Sequence, residues 1–200
     1  VCVPNHGMEI KLAEDGEILT RGGAVFKGYF KNEEATKEVL DEDGWLHTGD
    51  VGVWDGEFLK IIDRKKDIII TSGGKNVSPQ EIENKLKISP FIKDAIVIGD
   101  KRKFLSALIA IEFDTVSNWA LRKNIPHTTY RDLSEKDEVK DLVWKEILKA
   151  NEQTSSLEIR KFRMIPKELD HEDGELTATQ KIKRNVLIEQ FNDLIEEMYI

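Results

Sequence analysis

Cysteine is nearly absent, with one residue, Cys2, in 200. A single thiol cannot close an internal disulfide, so packing must hold the fold, and such usage fits a reducing compartment. Long apolar runs are missing too. None approaches the ~20 residues that span a bilayer, and no signal peptide opens the chain. The expected location is cytoplasmic, with membrane association peripheral at most. Positive charge is in deficit: 30 Lys and Arg stand against 38 Asp and Glu, for a net −8. Phosphate backbones are bound by basic faces, so nucleic acid is not expected as a partner. The four histidines, His6, His47, His127 and His171, lack ligand spacing, and no metal site is expected from them.

What the chain does contain is 40% apolar and 34% charged residues, the balance of a globular protein with one medium domain or two small ones. It opens Val-Cys-Val-Pro rather than with Met, which suggests a piece of something longer. The first sixty residues read as β structure. MEIKL and EILTR alternate around Asp15-Gly16, and VGVW and EFLKII flank Asp55-Gly56; both are hairpin patterns. Between them Asn32 can cap a short helix, EEATKEVL. This stretch has little sign of a closed core of its own and reads as the edge of a larger β structure. At DRKKD, residues 63 to 67, five charges separate two apolar strands. Such a run is either a solvated face or a linker exposed in more than one domain arrangement.

Beyond it lies an α+β unit. DIIIT is a strand and SGGKN a glycine loop. Ser78, Pro79 and Glu81 supply an N-cap, an N1 proline and a capping-box acid. DAIVIG and FLSALIAIEF form an antiparallel pair across KRK. Helices follow near 115–123 and 135–152, the second with Val139, Leu142, Val143 and Ile147 on one face. RKFRMIP is a late strand. A final amphipathic helix, VLIEQFNDLIEEMY, carries Leu187, Phe191, Leu194, Ile195 and Met198.

Four stretches could carry chemistry. GWLHTGD ends in Asp50 on a tight turn, where aspartate often bonds its own backbone but can also hold ribose hydroxyls. Arg64 opens the charged run and offers a fork of donors. SGGK, 72 to 75, lacks the spacing of a P-loop. Its two glycines serve a turn or let backbone lie against a narrow ligand. Lys181 sits in the polar stretch GELTATQKIKR, either as a solvated residue before a helix or as a positioned cation.

In this order the four stretches resemble the carboxyl-terminal part of the adenylate-forming enzymes: acyl-CoA synthetases, luciferases and peptide-synthetase adenylation domains. GEILTRGGAVFKGYFKNEEATKEVL and GWLHTGDVG are similar to the end of that family's large amino-terminal domain. DRKKDIIITSGGKNVSPQEIE is similar to its hinge and the start of its small mobile domain. GELTATQKIKR followed by LIEEMY looks most like the long-chain fatty acyl-CoA synthetase branch. Thr179-Gln180 replaces the Ser-Gly that shorter-chain members carry before the lysine.

The resemblance implies an α+β fold: residues 1–63 end a β-rich part of the large domain, 64–66 are the hinge, and 67–200 form a small mobile domain with an antiparallel sheet flanked by helices. It implies a ligase that joins a carboxylic acid to ATP, with Mg2+, and passes the acyl group to CoA. Lys181 would be catalytic, with Thr177, Thr179 and Gln180 holding its loop. Asp50 and Arg64 would hold the ATP ribose, Arg64 from the far side of the hinge. Gly73, Gly74 and Lys75 would line the CoA channel, and Lys66 would be the pivot. The phosphate loop and acyl pocket are not in this sequence, so the chain is expected to need its amino-terminal domain and to be inactive alone. An aryl or medium-chain acid–CoA ligase is the alternative within the family, and a non-catalytic binding module the alternative outside it.

Overall fold

The computed structural model describes residues 3–154 and 158–200. Cys2 lies outside the described residues. The chain divides into two compact units, with the boundary between Ile68 and Ile69.

The first unit is a four-stranded antiparallel sheet in chain order. Its strands are β1 (Met8–Leu12), β2 (Glu17–Gly22), β3 (Leu46–Asp55) and β4 (Phe58–Arg64). Both hairpin turns fall where their Asp-Gly pairs stand, with Gly16 and Gly56 at φ +83° and +61°, values that L side chains seldom adopt. Helix α1 (Glu33–Val39) starts where Asn32 accepts a hydrogen bond from Ala35 N–H at 3.1 Å. Ile18, Leu19, Trp45, Val51 and Leu59 are buried. Gly52 sits at a bulge in β3, where a Cβ would come within 2.8 Å of Ile18 and 3.0 Å of the Lys60 carbonyl. β4 runs on through Arg64, so only the 3-10 turn Lys65–Asp67 and Ile68 lie between it and the second unit.

The second unit is α+β. A two-stranded ribbon, β5 (Ile69–Ile70) with β6 (Asn76–Val77), encloses the glycine loop. Helix α2 (Pro79–Leu86) follows, and Ser78 Oγ accepts from Glu81 N–H at 3.2 Å. The main sheet contains β7 (Ile92–Ile98), β8 (Leu105–Ile111) and β9 (Ile159–Met164). β7 and β8 are antiparallel, as their sequences predict. β9 joins β8 in parallel, however, so the sheet is mixed rather than wholly antiparallel. The cause is the connection: α3 (Phe113–Arg122), α4 (Tyr130–Glu135) and α5 (Asp137–Glu152) form a crossover that returns the chain in the same direction.

β8 is buried along its whole length because helices cover both faces of the sheet. On one side Val97, Leu105, Ala107 and Ile109 pack with Ile82, Val116, Val143 and Ile147. On the other, Ile96, Ile98 and Leu108 pack with Leu187, Phe191, Ile195 and Met198. Each of the larger side chains here, the Val, Leu, Ile, Phe and Met, stabilises by about 1.5–3 kcal/mol when fully buried. The expected single terminal helix is two: α6 (Arg184–Gln190) and α7 (Asn192–Glu197), parted at Phe191, whose φ of −106° and ψ of 25° leave the helical region. The apolar face survives the break because the buried ring spans it. Among the described residues, no helix is long and apolar enough to cross a membrane.

Candidate functional site

Asp50 lies within β3 rather than on a turn, in register with Arg64 on β4. Their side chains meet, Arg64 Nε to Asp50 Oδ1 at 2.9 Å. The structure therefore joins these two predicted residues on one sheet of the first unit, with Arg64 on the same side of the unit boundary as Asp50. Pairing across strands overrides the local turn signal of Thr-Gly-Asp. Gly49 still takes φ +70°, and Thr48 Oγ1 accepts from Asp50 N–H at 3.1 Å while donating to the Ile18 carbonyl at 2.7 Å. A carboxylate and a guanidinium side by side can accept from and donate to vicinal hydroxyls.

Behind this pair is a carboxylate that sequence reasoning missed. Glu17 is buried, and it accepts from Gly49 N–H at 2.9 Å and from Lys65 Nζ at 2.9 Å, with His47 Nδ1 at 3.2 Å. Lys65 also pairs with Asp15 at 2.6 Å. Burial pushes the Glu17 carboxyl up, but donation from Lys65, His47 and Gly49 outweighs it and holds the group below its ordinary value. Asp15 is lowered chiefly by Lys65, and Lys65 is raised by Asp15 and Glu17. A carboxyl that binds its proton less readily when folded stabilises the fold above its unfolded pKa, about 4.3 for Glu and 3.9 for Asp. That contribution disappears as pH falls through the folded value. Lowering the pH from about 7 to about 3 should therefore loosen the first unit, which the indole NMR signals of Trp45 and Trp54 would report. Glu17→Gln should flatten this dependence; an unchanged profile would remove Glu17 from the account.

The charged run is thus not uniform. Asp63 is buried and accepts from Arg64 N–H at 2.7 Å, Arg64 holds Asp50, and Lys65 holds Asp15 and Glu17. Lys66 is exposed and, among the described residues, its side chain has no partner.

In the second unit the glycine loop is tied at its base. Thr71 N–H donates to the Lys75 carbonyl at 3.1 Å, Lys75 N–H to Thr71 Oγ1 at 3.2 Å, and Gly74 N–H to the Thr71 carbonyl at 2.9 Å. Gly74 needs its φ of +75°. Gly73 has no such need, and a Cβ on it would meet nothing within 4 Å. Its lack of a side chain keeps one surface of the loop thin. Lys75 is exposed beside it.

Lys181 stands on a second loop, closed by a bridge between Leu176 and Ile182. Thr177 N–H donates to the Lys181 carbonyl at 2.7 Å, Thr177 Oγ1 accepts from Lys181 N–H at 3.0 Å, and the Thr177 and Thr179 hydroxyls lie 3.0 Å apart. Gln180 contributes through its backbone, at φ +61°, rather than through its amide. At the foot of the loop, buried Glu175 accepts from Asp170 N–H at 2.9 Å and pairs with Lys167 at 3.0 Å. The Lys181 side chain is exposed and without a partner among the described residues. Among the described residues, no hydrogen bond or ion pair of this loop reaches the glycine loop. A cleft of about 380 Å³, with Phe162, Met164 and Leu194 in its wall, is lined by none of the predicted residues.

The model of the AMP-binding enzyme C-terminal domain matches residues 66–200. A long-chain-fatty-acid–CoA ligase of Mycobacterium tuberculosis is 42% identical over 199 residues, covering 98% of this chain and 33% of the relative. Long-chain-fatty-acid–CoA ligase 6 of Mus musculus is 39% identical over 191 residues, covering 93% and 27%. The chain thus spans about a third of the length of the curated relatives it matches. The adenylation domain of a carboxylic acid reductase from Segniliparus rugosus, in complex with AMP, shares the fold with a TM-score of 0.78 at 22% identity, over 98% of this chain and 32% of that one. O-succinylbenzoate coenzyme A synthetase from Bacillus subtilis, also with AMP, gives a TM-score of 0.60 at 28% identity, over 92% and 34%. With more than half of its residues inside the family model, this chain belongs to the family of AMP-binding enzyme C-terminal domains.

Proposed function

We propose that the chain is the carboxyl-terminal third of an AMP-forming long-chain fatty acid–CoA ligase. In the first half-reaction the acid's carboxylate oxygen attacks the α-phosphorus of ATP, an acyl–phosphate bond forms and pyrophosphate leaves. In the second, the CoA sulfur attacks the acyl carbonyl, a thioester forms and AMP leaves. Both the attacking oxygen and the α-phosphate are negative, so a positioned cation stabilises the first transition state most. The observation that carries this reading is Lys181: an exposed cation without a partner among the described residues, on a loop whose backbone is fixed by its own threonines.

Asp50 would accept the ribose hydroxyls and Arg64 would donate to them. Their present ion pair is partly exposed, 58% for the arginine, and exposed pairs exchange partners at little cost. Magnesium enters with the ATP phosphates; among the described residues no group of three or more His, Cys, Asp or Glu side chains could hold it. For the second half-reaction the small unit, residues 67–200, would turn about Lys66. Lys181 would then withdraw, Gly73 and Gly74 would face the thin pantetheine arm, and Lys75 would approach a CoA phosphate. Such a protein works in the cytoplasm, with membrane association peripheral at most.

Pyrophosphate release by the whole protein that carries this chain tests the reading, with ATP, Mg2+ and a panel of acids. Palmitate should give the highest turnover, and the chain alone should release none. Preference for an aryl or medium-chain acid would reassign the substrate. No acid-dependent release at all would leave a binding module.

A further inference from the structure

Both mobile tools of the proposed ligase are loops, and a loop delivers a group accurately only if its ends are fixed. We infer that the second unit carries two separate positioning braces: Glu83–Arg184 for the Lys181 loop, and Arg102–Glu196 for the glycine loop. This rests on the ligase reading given above.

Arg184 is the first residue of α6, directly after the Lys181 loop. Its guanidinium donates from one nitrogen to the Val97 carbonyl at 2.9 Å and pairs through the other with Glu83. Glu83, on α2, accepts from Val97 N–H at 2.7 Å. The three groups close a ring that pins the exit of the loop to α2 and β7. The entrance is tied to this exit by Lys183 N–H, which donates to the Glu175 carbonyl at 2.8 Å. Arg184 and Glu83 are only 23% and 14% exposed, so their attraction is less screened than that of a surface pair. A lysine would have to reach both acceptors from a single nitrogen, whereas the guanidinium fork offers each acceptor a nitrogen of its own.

The glycine loop rests on the turn between β7 and β8. Ser72 N–H donates to the Arg102 carbonyl at 3.0 Å, Lys101 N–H to the Ile70 carbonyl at 2.8 Å, and Ile70 N–H to Asp100 Oδ1 at 3.2 Å. That turn is held in place by the end of the chain. The Arg102 guanidinium pairs with Glu196 of α7 and lies 4.6 Å over the Tyr199 ring. The Tyr199 hydroxyl donates to the Ile98 carbonyl at 3.1 Å and accepts from Ser106 Oγ at 2.8 Å. No residue belongs to both braces.

Separation predicts a double dissociation. In the whole protein, Arg184→Lys should lower the rate constant of pyrophosphate release by about 10-fold, as for a small misplacement of a reacting group, with KM for ATP unchanged. Acyl transfer to CoA from a supplied acyl-adenylate should stay at the wild-type rate. Glu196→Gln should do the reverse, slowing acyl transfer and raising KM for CoA while pyrophosphate release persists. Glu83→Gln should reproduce Arg184→Lys, and the double variant should be little worse, since the two residues act as one unit. A merely structural role would lower both half-reactions together, in step with Tm. Equal losses in both half-reactions for either variant would overturn the inference while leaving the ligase reading intact. A wild-type protein without acid-dependent pyrophosphate release would overturn both.

Discussion

Lys181→Ala is expected to slow adenylation in the whole protein by about 10²-fold or more, the usual loss for a removed charge-stabilising donor. The folded loop would hardly notice the change. Its hydrogen bonds run through Thr177, Thr179 and the Lys181 backbone, none of which the substitution removes. The Lys181 side chain is exposed and holds no partner among the described residues. The effect should therefore fall on chemistry rather than on folding. It should also fall on one half-reaction, because the cation meets growing negative charge only while the oxygen attacks the α-phosphate. Acyl transfer from a supplied acyl-adenylate should proceed at the wild-type rate. Acetylation of Lys181 should mimic the substitution, since it removes the same charge. Equal losses in both half-reactions, or a fall in Tm, would show that Lys181 supports the loop and not the reaction.

Lys66→Pro should have the opposite signature: near-normal pyrophosphate release and a collapse of acyl transfer, while Lys66→Ala changes little. The proposed pivot is Lys66 because the charged run is anchored as far as Lys65, by Asp50, Asp15 and Glu17, and Lys66 is its first residue without a side-chain partner among the described residues. Turning one unit against another takes large changes of φ and ψ at a very few residues. Proline fixes φ near −65° and also drives the residue before it out of the helical region. Lys65 lies in a 3-10 turn, so both its own torsions and those of residue 66 would be constrained. Rate constants for the two half-reactions, measured separately, decide the matter. A proline variant with both intact would move the pivot elsewhere.

How much of this was legible in the sequence depends on the range of the interaction that fixes each feature. The Ser78 cap, the Asp-Gly turns and the apolar stripe of α5 are local, and each stands where its residues predict. Helix α4 was missed, although Thr129 caps it in the ordinary way by accepting from Asp132 N–H; six residues are too few to show a period. Asp50 reads as a turn residue because its strand partner, Arg64, is set by a hairpin bulge. The parallel seat of β9 and the break at Phe191 follow from packing against the sheet, which no window of sequence displays. Of the candidate functional residues, the exposed Lys181, Gly73 and Lys66 stand out in sequence motifs. Glu17, Glu83 and Arg184 did not, because a supporting carboxylate and its cation meet only after folding, across 48 residues for Glu17–Lys65 and 101 for Glu83–Arg184.

The parallel seat of β9 also sets a timetable. Strands β7 and β8 are joined by a short turn and can pair as soon as both are made, whereas β9 must wait for the helices of the crossover. Closing a long loop is entropically slow, and parallel pairings formed that way come late in folding. Residues 174–183 follow β9 in the chain, and their anchor Arg184 reaches back to Val97 on β7. During synthesis the lysine loop would thus take shape only after the pairing of β7 with β8, once Arg184 has been made. In pulsed hydrogen exchange, amides of β7 and β8 should gain protection before those of β9 and the Lys181 loop, so an unfinished molecule holds its sheet core but cannot yet place its cation.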